Sequence, residues 1–301
     1  MNSKTLAQRT VDELDNILKR GNIKEKIIAN HDLIRYLDHF IMENPTVIQG
    51  IYRFGGDSSI LNDWMFDVDE NNAHHSLNVA QISMEMVKYI GEILPDYPLE
   101  LQTLGFYHDL GKLVIPPELK NKEGRLETFE KEMLTYGHVL VGEAIARACE
   151  LPDSIVNVTG SHHDRMYRSD LYRIKDGDGS NKDEYGYPHK NPNQTDETKV
   201  VQIADSTQLI YEDYSRVIQV ADVAQAMKDP SRRNNGWFKE NGIEAETLKK
   251  DADRVVMEYL VRCVMDEVFE KKYVKAYFKA HNLSDGDIAT LFSAQQEAAQ
   301  A

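Results

Sequence analysis

Leu104-Gly105-Phe106-Tyr107-His108-Asp109-Leu110-Gly111-Lys112 sets an imidazole and a carboxylate side by side at the end of an apolar segment. Neither group is at home in a core unless its charge is paired or coordinated. Four more histidines and one more aspartate sit in similar company: His75, His138, the adjacent His162 and His163, and Asp205 in the apolar segment Val200 to Ile203 with Ala204. A lone histidine on an apolar helix face is ordinarily a hydrogen-bonded core residue, so His75 or His138 alone carries no message. The set is worth more than its members, because burying all of it is expensive unless it holds cations. Imidazole and carboxylate suit Zn, Fe, Mn or Ni, and seven such groups exceed the three or four protein ligands usual for one zinc. The pattern predicts two divalent transition-metal ions, with Fe and Mn among those the ligands suit, and a carboxylate able to bridge them.

Outward from this set, apolar residues recur at helical spacing. Val11, Leu14 and Leu18 mark an opening helix that Gly21 stops, and Ile27, Ile34, Leu37 and Ile41 mark a second that Pro45 ends. Gly50 to Asn72, with Gly55, Gly56, Asp57 and Asn62, reads as an irregular connection, which places a soft boundary near residue 65. Beyond it Val79, Ile82, Met86 and Ile90 lie on one helix face. The segments Met133 to Ala148, Ile155 to His163, Lys199 to Tyr211, Val217 to Met227 and Ala245 to Phe278 suit helices better than strands. Ser284 with Asp287 resembles a capping box for a last helix. Tyr167 to Glu197, rich in Gly, Asp, Asn and Lys, reads as a long surface loop. The expectation is an all-α chain: a helical segment of unassigned role over 1–65, a main domain over 66–283, and a helix with a polar tail over 284–301.

Composition narrows the partners. A net charge of -15 opposes binding to a nucleic-acid backbone, which draws on clustered cations, while a small anionic substrate in a locally cationic pocket stays compatible. Cys149 and Cys263 fall in apolar helical stretches, so the sequence encodes neither a disulfide scaffold nor a thiolate zinc site. The first twenty residues alternate charged with apolar residues, and no run is long enough to span a bilayer, so the expected location is the cytoplasm, with no membrane partner.

His75-Ser76 with Val79-Ala80, His108-Asp109-Leu110-Gly111-Lys112, His138 with Gly142, and His162-His163-Asp164-Arg165 together resemble the HD phosphohydrolase superfamily. With Gly186-Tyr187-Pro188 and Ile203-Ala204-Asp205, the chain is similar to its HD-GYP branch, whose members are helical, metal-dependent phosphodiesterases acting mainly on cyclic dinucleotides. The resemblance runs from about His75 to Tyr214 and, more weakly, to near Leu260; residues before about 65 resemble no family. It implies an HD-domain helical core with an added N-terminal helical segment. On the family's pattern His75, His108, Asp109 and Asp205 serve one metal, and His138, His162 and His163 serve the second, with Asp109 bridging. Lys112, one helical turn from Asp109, is expected to meet a phosphate oxygen, and Arg165 and Arg216 are further substrate-binding candidates.

Three departures shape the expectation. Asn71 stands where some members place a third-metal Glu, which points to a two-metal centre. Asp164 to Tyr185 intervene between the paired histidines and the GYP triplet, an insertion at the pocket entrance. After Asp205 the chain reads Ser206-Thr207-Gln208-Leu209, with Tyr214 where a nucleotide-gripping Arg is common and Arg216 two residues on, a departure that counts against cyclic di-GMP itself; the substrate the resemblance implies is cyclic di-GMP or a related dinucleotide. The implied chemistry is hydrolysis of a phosphodiester by a hydroxide activated between two metals, with Asp109 and Lys112 as the catalytic pair. Two alternatives accompany it: a catalytically quiet module that senses a nucleotide or docks a partner through the GYP loop, and a di-iron oxygenase, which the paired histidines and GYP argue against.

Overall fold

The computed structural model describes residues 1–19, 31–90, 98–122, 126–163, 206–229, 250–266 and 268–298. Every regular element among them is helical. The expected opening helix is α1 (Ser3–Lys19), which buries Leu6, Leu14, Ile17 and Leu18 along one stripe. In α2 (His31–Glu43) the expected Leu37 and Ile41 are fully buried. Pro45 ends that helix and also opens the next, α3 (Pro45–Phe54). A proline lacks the N–H that a first turn leaves unbonded anyway, and its φ is already helical.

Residues 50–72, expected as an irregular connection, are mostly helical. They run from α3 through α4 (Ser58–Val68) into α5 (Glu70–Val87). Gly55, Gly56, Asp57 and Asp69 fall at the joints, whereas Gly50, Asn62, Asp63 and Asp67 lie within the helices. Asp57 caps α4 by accepting from the Ser59 and Ile60 N–H groups at 3.0 and 3.3 Å, and Asp69 caps α5 through the Asn72 N–H at 3.1 Å.

Next come α6 (Pro98–Tyr107), a tight 3₁₀ turn (Leu110–Val114) and the short α7 (Pro117–Lys120). Then α8 (Thr128–Glu132) passes through a wide π-type turn (Met133–Gly137) into α9 (His138–Ala148), followed by α10 (Asp153–Ser161). The chain resumes with α11 (Ser206–Lys228), α12 (Ala252–Met265), α13 (Lys271–Ala280) and α14 (Asp285–Ala298). The helix expected over 245–278 is thus divided between α12 and α13. The expected capping box is present: Ser284 Oγ donates to Asp287 Oδ2 at 2.6 Å and accepts from the Asp287 N–H at 3.2 Å. The expected loop over 167–197, the GYP triplet, Arg165 and Asp205 lie outside the described residues.

One connected apolar cluster runs from Leu6 and Leu14 in α1 to Phe278 in α13 and Ile288 in α14. Each large side chain fully buried there contributes about 1.5–3 kcal/mol. α1 packs on α9, and α5 packs along α6 and α11. Two glycines set how closely the central pieces approach. A Cβ at Gly105 of α6 would lie 2.7 Å from Ala80 Cα of α5, so these helices meet almost backbone to backbone. A Cβ at Gly111 would lie 1.8 Å from the His138 carbonyl oxygen, so the 3₁₀ turn rests directly on the first turn of α9. Cys149 and Cys263 are buried as expected, and burial pushes both thiols up to about 12. No described helix is long and apolar enough to cross a membrane.

Candidate metal centre

The close contacts of Gly105 and Gly111 bring three pieces of backbone to one point. His108 and Asp109 follow α6 directly, His75 lies in the middle of α5, and His138 opens α9 just after the π-type turn. One extra residue in that turn rotates the first residues of α9 by about 100°, a common device at functional sites. His162 and His163 form the C-terminal end of α10. All five imidazoles are buried, as is Asp109, which is fully enclosed.

Two groups of ligand atoms result. His138, His162 and His163 form one; His75, His108, Asp109 and Asp222 form the other, and within each group the atoms lie within 4.8 Å of one another. Asp109 is shared between them. Its Oδ2 is 3.2 Å from His75 Nε2 and 3.3 Å from His108 Nε2, while its Oδ1 is 3.2 Å from His138 Nε2 and 3.8 Å from His162 Nε2. Asp222 straddles them too, with Oδ1 3.0 Å from His75 Nε2 and Oδ2 3.7 Å from His163 Nε2.

The fit to cations rests on polar atoms that converge without bonding. His75 Nε2, His108 Nε2 and Asp109 Oδ1 are buried and make no hydrogen bond. Buried polar atoms are almost always satisfied, and an ion seated among them would satisfy all three. The opposite ring nitrogens agree. His108 Nδ1 lies 2.6 Å from the Gly105 carbonyl, and His162 Nδ1 lies 3.1 Å from the Thr159 carbonyl, contacts that need N–H on Nδ1 and leave Nε2 as the ring atom that faces inward and would take an ion.

Charge follows the same division. Burial lowers His138 and His162, and it lowers His163 to about 3, with like-charge repulsion among the rings adding to the effect at His162 and His163. All three are therefore neutral, the form that ligates. Burial also acts to lower His108, but the Asp109 carboxylate, with Asp222 behind it, reverses this and carries it up to about 9. Burial acts to raise Asp109 and Asp222 as well; His108 and Lys112 outweigh it at Asp109, and His108 and His75 outweigh it at Asp222, so both stay well below the usual carboxylate range. Lys112, 12% exposed, places its Nζ 2.5 Å from Asp109 Oδ2. A divalent ion would take over the neutralising role that Lys112 and a proton on His108 otherwise fill.

The structure thus brings together His75, His108, Asp109, Lys112, His138, His162 and His163. Arg216 is buried on α11, where its charge acts on Tyr273. Among the described residues the carboxylate that joins His75, His108 and Asp109 is Asp222, which reading the sequence did not name; the Asp205 it named lies outside those residues. The signal was present twice: Val201-Gln202-Ile203-Ala204-Asp205 and Ile218-Gln219-Val220-Ala221-Asp222 are the same apolar-Gln-apolar-Ala-Asp pattern. Gln225, one turn beyond Asp222, was also missed; its Oε1 accepts from His75 Nδ1. Of the remaining histidines, His74 is exposed beside Glu70, and His281 is tied to the Tyr277 carbonyl and Lys228.

Comparison with known proteins agrees with this geometry. The family model of the HD domain matches residues 72–210. Ribonuclease Y from two strains of Ureaplasma parvum serovar 3 is 27% identical over 124 residues, covering 41% of this chain and 21% of the relative. The chain therefore spans about a fifth of the length of the curated relatives it matches. No solved structure matches. His75, His108, Asp109, His138, His162 and His163 fall within the segment that matches the HD domain, residues 72–210, and Asp222 lies beyond its end.

Proposed function

We propose that the chain is a metal-dependent phosphodiesterase that hydrolyses a phosphodiester of a cyclic dinucleotide, cyclic di-GMP or a related one. The observation that carries this reading is Asp109, whose two carboxylate oxygens face two different imidazole groups. Two divalent ions held there supply Lewis-acid activation of water and neutralisation of the phosphate oxygens on which charge develops. His75, His108, Asp109 and Asp222 would hold one ion, and His138, His162 and His163 the other, with Asp109 shared. Lys112 sits where its ammonium can leave Asp109 for a phosphate oxygen and stabilise the charge that builds up in the transition state. Burial of the imidazoles keeps bulk water from competing with the substrate for this charge.

The cyclic dinucleotide is supported by the paired histidines with the GYP triplet, and by a net charge of -15 that disfavours a long polyanion. A second reading, a short RNA as the phosphodiester, is favoured by the name of the relatives, Ribonuclease Y. The test is a turnover screen of anaerobically purified protein loaded with Mn²⁺ or Fe²⁺. Its substrates are cyclic dinucleotides, their linear counterparts and a short single-stranded RNA. The expected result is opening of a cyclic dinucleotide to a linear product, abolished by a chelator. Cleavage of RNA alone would move the assignment to the second reading, and a fully metallated protein that cleaves none of them would end the phosphodiesterase reading.

A further inference from the structure

We infer that Gln225 is a positioning residue: its side-chain carbonyl holds His75 in the tautomer that offers Nε2 to a metal ion. This rests on the reading of the cluster as a metal centre. His108 and His162 lie at helix C-terminal ends, where carbonyls have lost their partners, so each ring satisfies a carbonyl of its own helix and is oriented by it. His75 lies well inside α5, where the carbonyls are consumed by the helix itself. It must borrow an acceptor, and α11 supplies one.

Asp222 and Gln225 are three residues apart on α11 and address opposite sides of the same ring. Asp222 Oδ1 is 3.0 Å from His75 Nε2, and Gln225 Oε1 accepts from His75 Nδ1. A carbonyl oxygen can only accept, so the hydrogen is fixed on Nδ1 and the lone pair on Nε2. Had the amide turned its –NH₂ to the ring, Nδ1 would accept, Nε2 would carry the hydrogen, and the ligand position would close. The amide achieves this without adding a third negative charge beside Asp109 and Asp222. His75 and Gln225 also border a cavity of about 570 Å³, lined further by Asn78, Gln81 and Ile82, so an apolar side chain at 225 has room.

The test uses the full chain as wild type, Gln225→Leu and Gln225→Glu. In metal-stripped protein, ¹⁵N NMR of the imidazole rings is expected to show His75 with hydrogen on Nδ1 in the wild type and a mixture of tautomers in Gln225→Leu. In a Mn²⁺ titration, Gln225→Leu is expected to bind one of its two equivalents about 10–100-fold more weakly, with the other unchanged, as removal of a ligand-orienting partner does. Gln225→Glu keeps an acceptor and is expected to restore the tautomer. If Gln225→Leu does not fold, Gln225→Asn, which keeps the amide but is too short to reach, takes its place. A Gln225→Leu protein with the wild-type tautomer and wild-type affinity at both equivalents would overturn the inference. A wild type that binds no Mn²⁺ at all would instead remove the metal reading, while the tautomer comparison would still decide for or against Gln225.

Discussion

The two halves of the cluster are built on opposite electrostatic principles. His138, His162 and His163 form a trio of rings that burial keeps neutral, with repulsion from neighbouring rings adding to it at His162 and His163, and any charge compensation comes from oxygens of the shared aspartates. His75 and His108 instead stand between two fully ionised carboxylates, and His108 is drawn up to about 9 in consequence. The trio depends on the dryness of its surroundings, the quartet on charge held in balance. Both depend on Asp109, which gives one oxygen to each.

The largest effect should therefore come from Asp109. Asp109→Ala removes the shared ligand, and loss of both metal equivalents by elemental analysis with at least a roughly 10³-fold fall in turnover is expected. Retention of one tightly held ion would show that the halves are independent. Asp222→Ala should strike the quartet alone, weakening one equivalent by more than about 100-fold in a Mn²⁺ titration, whereas Asp205→Ala should leave both near the wild type. The reverse ranking would reassign the ligand to the first of the two matching pentapeptides.

A smaller effect concerns the scaffold joining the halves. Gly111→Ala forces a methyl group onto the His138 carbonyl and should cost about 3 kcal/mol of stability, read by denaturant unfolding. A neutral outcome would mean that the 3₁₀ turn is not pressed onto α9.

The subtlest difference is in pH dependence, read as the melting temperature of metal-stripped protein. His163 falls from 6.5 to about 3 on folding, so between those values the unfolded chain binds the extra proton and stability is lost as pH drops below 6.5. His108 rises from 6.5 to about 9, so its contribution is complete below 6.5 and is lost as pH climbs through 9. His163→Ala should flatten the acid limb and His108→Ala the alkaline one. If one substitution altered both limbs, the electrostatic separation of the halves would be wrong.

The residue types and local patterns of the sequence determined a good deal on their own. The helical recurrence of Leu14 and Leu18, and of Leu37 and Ile41, marked helices because one face of each had to be buried. The density of imidazole and carboxylate in apolar segments marked a metal centre because coordination offsets the cost of burying them. Gly55, Gly56 and Asp57 misled, since the same residue types serve a cap between two helices and a loop, and only the packing of α3 and α4 distinguishes the two. Asp205 and Asp222 carry the same flanking pattern, so no local rule could rank them. What placed Asp222 beside His75 was the docking of α11 along α5, a contact between segments about 150 residues apart that depends on the whole core being assembled. Gln225 is the same case: a glutamine orients a ligand only when a ring from a distant helix arrives within reach of its carbonyl.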